Sequence, residues 1–424
     1  MFQTLKNAWK ITELRKKIIF TLLILLVYRI GNVIPVPFVD AGQMAEFYKT
    51  IDDTILGLYN AMSGSAFSMA SVLALGIQPY INASIIVQLL TVALPPLERW
   101  AKEEGEAGKK KIEKLTRYST VVLGMLLGFA YYTMLNNASG YSILSQNGVW
   151  PAIVIILAFT AGSSVVMWLG EQITEFGIGN GISMILFANI ISGIPGGIKK
   201  LIDLFPSGWW VALIAVVVMA ILVVFIVFIN DAERRIPVQY AKRVVGRKVY
   251  GGQSTNLPIK VAMSGVMPVI FASSICSIPG TIATFTGSTD GWWYKNVFSN
   301  QSWIYAAVYT LMIFFFSWFY STIQYDPVEI SNNLKKNGGF IPGFRPGKPT
   351  ADFIKKVINN IVIFGAVYLA IVAVLPIISG NLLTGLQNMA IGGTSVIIVV
   401  GVALETVKAL EAQMLMRHYQ GFLD

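Results

Sequence analysis

The residues able to do covalent chemistry are few, and none stands where a reaction needs it. The one histidine, His418, lies near the C-terminal end, and neither an HExxH nor a GxSxG arrangement occurs. The one cysteine, Cys276, sits in an apolar stretch and reads as packing, and a single thiol admits no intrachain disulfide. No run has the glycine spacing of a phosphate cradle. The 22 Asp and Glu fall in loops or at the ends of apolar runs, Glu405 coming nearest to an exception, so a buried carboxylate relay has no seat. The sequence therefore predicts no enzyme, no cofactor and no metal site. What remains is mild polarity in costly places. Asn82, Ser84, Gln88 and Thr91 lie within one apolar run. Ser273, Ser274 and Ser277 lie within another, which Pro268 and Pro279 are expected to break. Such groups must face protein or water, or pack helix on helix.

The elements that carry these residues are written in the composition. Of 424 residues, 55% are hydrophobic and 13% charged, and the mean hydropathy is +0.64, far outside the soluble balance. The apolar residues gather in ten runs, at about 18–36, 76–94, 116–136, 151–170, 181–198, 209–229, 261–285, 303–323, 357–378 and 387–407. Each is long enough to cross about 30 Å of hydrocarbon as a helix. Ahead of them, Met1 to Lys17 is basic, carries Phe2, Leu5 and Trp9 at helical spacing and has no small-residue cleavage site. It reads as an interfacial helix rather than a removable signal.

A net charge of +10 would suit a nucleic-acid partner, but the bases sit between apolar runs and set topology first. With the N-terminus inside, 27 of the 32 Lys and Arg fall in cytoplasmic segments. The external loops hold Lys49, Lys199, Lys200 and Lys295, and Arg29 lies within the first run. Both termini are thus expected in the cytoplasm. One cytoplasmic turn goes against the pattern, with Glu171 and Glu175 but no base.

Two cytoplasmic loops, from about Asn230 to Lys260 and from about Gln324 to Lys356, are too long to be connectors. The first holds Arg234, Arg235, Lys242, Arg243, Arg247 and Lys248; the second holds the Gly- and Pro-rich run Gly338 to Gly347. These bases either bind a partner or only anchor topology and meet anionic lipid. A further stretch, Ile55 to Ser71, is apolar but too short and too rich in Gly and Ser to span. It fits a non-spanning segment lining a cavity, or an interfacial helix on the outer surface.

Two blocks go beyond composition. One is Ser71-Val-Leu-Ala-Leu-Gly-Ile-Gln-Pro-Tyr-Ile-Asn-Ala-Ser-Ile-Ile-Val-Gln-Leu-Leu90, the other Trp168-Leu-Gly-Glu-Gln-Ile-Thr-Glu-Phe-Gly-Ile-Gly-Asn-Gly-Ile-Ser-Met-Ile-Leu186. Both resemble signatures of the SecY family, the channel subunits of the general secretion machine. Arg234-Arg235-Ile-Pro-Val-Gln-Tyr-Ala-Lys-Arg243, Ile341-Pro-Gly-Phe-Arg-Pro-Gly347 and Gly392-Gly-Thr-Ser395 support the match, which runs essentially end to end.

The resemblance implies an all-α membrane protein with ten transmembrane helices in two pseudo-symmetric inverted halves of five, around an hourglass pore with a short plug helix. Residues 1–17 would form the cytoplasmic amphipathic helix, 18–200 the first half and 201–424 the second. The pore ring would be Ile81, Ile85, Ile182, Leu186, Ile270 and Ile398, an aliphatic gasket that deforms around a passing chain and resists wetting when narrow. The plug, at about 57–70, would hold Leu58, Tyr59, Asn60, Ala61, Met62, Ser63, Gly64, Ser65, Ala66, Phe67, Ser68, Met69 and Ala70. A lateral gate would part between the second and seventh spans at Gln88, Thr91, Ser273, Ser274 and Ser277.

Docking of the SecA motor ATPase and of ribosomal RNA would use Arg234, Arg235, Lys242, Arg243, Arg247 and Arg345, with Arg243 and Arg345 foremost. The other implied partners are the small membrane subunits SecE and SecG, signal sequences, translocating polypeptides and membrane lipid. The implied function is passage of unfolded secretory polypeptides across the bacterial plasma (inner) membrane, with release of membrane segments into lipid. The rival reading is a secondary transporter of a small solute, which ten helices, two halves and broken helices also fit. The lack of buried acids disfavours it.

Overall fold

A computed structural model describes residues 2–51, 55–138, 141–146, 148–203, 205–240, 243–245, 248–250, 254–263, 265–285, 297, 302–382 and 393–420. The expected interfacial helix is two pieces. Helix α1 (Phe2–Lys10) stops at an extended Ile11, and Thr12 to Lys17 already belong to α2 (Thr12–Gly31). Ala8 is buried with Leu14, Ile178 and Leu410, whereas Trp9 stays exposed.

Next come α3 (Ala41–Ile51) and the short α4 (Ile55–Ser63). From Gly64 to Ile77 the chain makes turns, with Gly64, Ser65 and Ala70 all at positive φ. The segment expected to be a plug helix through Ala70 is therefore helical only as far as Ser63. Helix α5 (Gln78–Ala93) ends where Leu94 precedes Pro95; a residue before proline is pushed out of the helical region, and Leu94 sits at φ −111, ψ 117. Helix α6 (Pro95–Lys102) leaves at 105°.

Long apolar helices follow: α7 (Gly105–Asn136), α8 (Val149–Phe176), α9 (Gly181–Asp203) and α10 (Phe205–Asp231). Gly124 and Gly128, one turn apart on α7, let the backbones of α7 and α8 close up. A Cβ on Gly128 would stand 3.3 Å from the Ile156 carbonyl oxygen.

The described residues of the first long loop form β-structure. Strands β1 (Glu233–Tyr240) and β4 (Ser254–Lys260) pair antiparallel from Glu233↔Lys260 to Gln239↔Ser254, and β2 (Arg243–Val245) pairs with β3 (Lys248–Tyr250). Two helices follow, α11 (Met267–Phe285) and α12 (Trp303–Gln324). Pro268 falls in the first turn of α11, where no N–H is needed, so it starts the helix rather than breaking it; only Pro279 lies inside.

The second loop contains α13 (Pro327–Lys336), capped by Asp326, whose carboxylate accepts from the Val328 and Glu329 amides, and β5 (Gly339–Phe340). Strand β5 pairs with β1, so both loops join in one sheet of order β4-β1-β5. The alternation that buries Ile236 and Val238 seats this sheet on Ile354, Ile358 and Val362 of α14 (Lys348–Leu382). Helix α14 starts at Lys348, so the second loop ends earlier than expected. The last helix is α15 (Gly393–Gln420).

Among the described residues, five helices are long and apolar enough to cross a membrane, or six if α5 and α6 count as one bent span. Val216–Asp231 and Met267–Gly280 are shorter apolar helices. Leu22, Leu26, Phe228, Leu311, Trp318, Ile363 and Phe364 are exposed, an apolar outer surface suited to lipid. This is a multi-pass membrane protein.

Candidate functional site

The branched side chains expected to form the ring come from four helices, α5, α9, α11 and α15, and all belong to or pack on one large apolar core. Ile81, Ile85, Leu186, Ile270 and Ile398 are buried in a single apolar cluster, with Ile182 packed against it. Ile81 with Ile85, and Ile182 with Leu186, are one turn apart and so share a helix face. Met62, near the end of α4, belongs to the same cluster.

The rest of the expected plug sits elsewhere. Tyr59, Phe67 and Ala70 are buried in a second cluster with Tyr48, Tyr131 and Phe159. The Tyr131 hydroxyl donates to the Phe67 carbonyl oxygen at 2.7 Å, and the two rings meet edge to face at 4.7 Å. Asn60 folds the turn back, its Oδ1 accepting from the Ser68 amide at 2.9 Å. Leu58, Ala61, Ser63, Gly64, Ser65, Ala66, Ser68 and Met69 lie on α4 or in the turns after it.

Four residues that sequence reasoning did not single out as site residues surround the end of α4. Asn189 Nδ2 lies 2.7 Å from the Met62 carbonyl oxygen and 2.9 Å from the Tyr28 hydroxyl. Asn32 Nδ2 donates to the Ser63 carbonyl oxygen at 3.2 Å, and Arg29 Nη1 to that of Gly64 at 3.0 Å. The signal was present: a base and two amides in or at the end of apolar runs are expensive unless they have partners.

The expected gate residues are carried by α5 and α11, two helices in contact with each other. Ser273, Ser274 and Ser277 are buried, and Gln88 and Thr91 half-buried. Ser273 donates to the Ile270 carbonyl, Ser277 to that of Ser274 and Thr91 to that of Gln88. Three of these hydroxyls thus bond within their own helix.

On the two long basic loops, Arg234 and Arg235 are exposed on β1. The backbone of Arg243 is in β2; Lys242 and Arg247 lie outside the described residues. Arg345 stands exposed on the turn before α14. That turn is held by Thr350 donating to the Arg345 carbonyl at 2.8 Å, Ser331 donating to that of Gly347 at 2.9 Å, and Phe344 stacking on Phe353 at 4.2 Å. The acid-only turn also has its base. Arg117 Nε lies 2.9 Å from Glu171 Oε1, so a neighbouring helix supplies the missing charge.

The helical architecture is that of solved protein-conducting channels. A structure of such a channel aligns over 94% of this chain and 92% of its own with a TM-score of 0.67 at 17% identity. Sec61 from the canine ribosome–channel complex of the endoplasmic reticulum aligns over the same shares with a TM-score of 0.63 at 16% identity. The SecY family model matches residues 71–407. Protein translocase subunit SecY of Streptomyces scabiei is 43% identical over 438 residues, and that of Bacillus licheniformis 43% identical over 436, each covering all of both chains. The chain belongs to the SecY family.

Proposed function

We propose that this chain is the protein-conducting channel of a bacterial plasma-membrane translocase, passing unfolded polypeptides through the cluster of Ile81, Ile85, Ile182, Leu186, Ile270 and Ile398. The observation that carries this reading is that those side chains, borne on four helices of a member of the SecY family, all lie in or against the same apolar core, which also holds Met62 near the end of the short α4. An aliphatic constriction excludes water and ions without any charge, and it yields to a chain because no directional bond must break. Its collapse around a sliding segment keeps the seal.

In this reading ten helices span the membrane, with two halves at 18–200 and 201–424 and both termini in the cytoplasm. The α4 segment is the plug on the external side of the ring. The face between α5 and α11 is the lateral gate. An apolar segment leaving there gains about 0.3–0.6 kcal/mol per central Leu, Ile, Phe or Val, whereas Lys, Arg or Asp costs about 2.5–3.5 kcal/mol, so partition sorts membrane segments from secreted ones. The exposed bases Arg234, Arg235 and Arg345, with Arg243, are the dock for an acidic motor surface or ribosomal RNA. SecA, the ribosome, SecE and SecG are the proposed partners. Likeness to a channel solved on a ribosome supports the second. Nothing found favours the solute-transporter alternative.

Photocrosslinking tests the pore directly. A photoreactive residue at Ile85 or Ile182 should crosslink a secretory chain stalled midway, and one at Val217, exposed on the outer face of α10, should not. A stalled chain that never reaches Ile85 or Ile182 would remove the pore reading.

A further inference from the structure

We infer that Asn189 is a positioning residue that ties closure of the ring to seating of the plug, through a hydrogen-bonded latch on the last carbonyls of α4. The inference rests on the pore-and-plug reading above. Helix α4 closes on itself first. The Ser65 amide donates to the Asn60 carbonyl at 2.9 Å and the Gly64 amide to that of Ala61 at 3.3 Å, with Gly64 at φ +66. This double closure satisfies two of the orphan carbonyls of a helix C-terminus. The oxygens of Met62, Ser63 and Gly64 are left over, and side chains of other helices take all three.

Asn189 of α9 takes Met62, Asn32 and, at 3.5 Å, Tyr28 take Ser63, and Arg29 of α2 takes Gly64. A cation suits the negative end of the α4 dipole. Asn189 also donates to the Tyr28 hydroxyl, so one amide group, 1% exposed, bridges α9, α4 and α2.

Position along α9 supplies the coupling. Asn189 follows Leu186 by three residues and Ile182 by seven, so it shares their helix face. An outward shift of α9 that widens the ring draws the amide away from Met62 and Tyr28 in the same motion. The latch is also built to release. The Oδ1 atoms of Asn32 and Asn189 are buried without partners, so water entering an open pore gives them bonds that the closed state denies. The motion ends at Gly64 and Ser65, both left-handed, because Phe67 beyond them is pinned by Tyr131.

The test is the resting opening frequency of the channel, assembled with its small subunits, in planar bilayers. Asn189→Ala should open on the order of tenfold more often than the parent, the scale of one buried hydrogen bond lost to a neutral group. Tyr28→Phe, which removes one oxygen and little volume, should raise the frequency by a smaller factor. The double variant should fall short of the product of the two, since they share a bond. Deleting residues 57–63 gives the unplugged reference. If that deletion opens the channel while Asn189→Ala and Tyr28→Phe match the parent, the latch is wrong and the plug stands. Fully multiplicative single effects would refute the coupling. If the deletion also leaves the channel shut, the plug reading falls and the latch with it.

Discussion

Tyr131 carries more than its ring. It is fully buried, its hydroxyl is the donor to the Phe67 carbonyl, and its ring lies 4.6 Å from that of Phe159. Tyr131→Phe keeps the packing and leaves the Phe67 carbonyl with the Ala70 amide as its donor, so the loss of one buried hydrogen bond should cost about 0.5–1.5 kcal/mol. A lowered melting temperature of the purified complex should report it. Gly162 is the steric counterpart: a Cβ there would lie 1.9 Å from the Val72 carbonyl oxygen. Gly162→Ala must push α8 away from the turns that follow α4, and overpacking of this kind costs about 1–3 kcal/mol; the same melting measurement should show it. Neither role was legible in the sequence. A tyrosine in an apolar run looks the same whether it faces lipid or, as here, a carbonyl 64 residues away in the chain. Arg29 and Asn189 were legible as anomalies of polarity, and only their partners were missing.

The basic loops were legible as elements too long to be connectors, but their architecture was not. Strand β1 pairs with β4 from its own loop and with β5 from the other, and the sheet is seated on α14. Pairing of Tyr240 with Gly339 depends on where α11 and α12 bring the chain back, which no local pattern encodes. Arg235 and Arg345 are thereby displayed on supported backbone, so their substitution should reach binding without reaching the fold. Arg345→Ala and Arg235→Ala should each weaken ribosome binding, and the slope of log affinity against log salt should drop by about 0.7–0.9 for each phosphate no longer neutralised. Unchanged slopes would leave these bases with topology alone. Ile236→Asp puts a charge between the sheet and α14, so it should instead loosen the whole sheet and speed proteolytic cleavage within it.

For the whole molecule, orientation follows from the distribution of charge that the cell reads during insertion. Cys276 is the one thiol and it is buried, so replacing it with Ser leaves a chain without cysteines for labelling. Single cysteines at Lys199 and Lys348 in that background should label from opposite sides of the membrane, Lys199 from outside and Lys348 from the cytoplasm. Labelling of both from one side would overturn the ten-span topology, because the two positions lie an odd number of proposed spans apart.

The sequence by itself determined that this is a multi-pass membrane protein and which family it belongs to. Those properties are local: apolar length, and residue blocks in order. Only the tertiary structure decided that α4 stops at Ser63, that Pro268 opens a helix, that two loops share one sheet, and that Asn189 meets Met62. The shared sheet and the Asn189 contact depend on residues far apart in the chain meeting across packed elements, and spacing along one helix cannot say which neighbour its polar face will find.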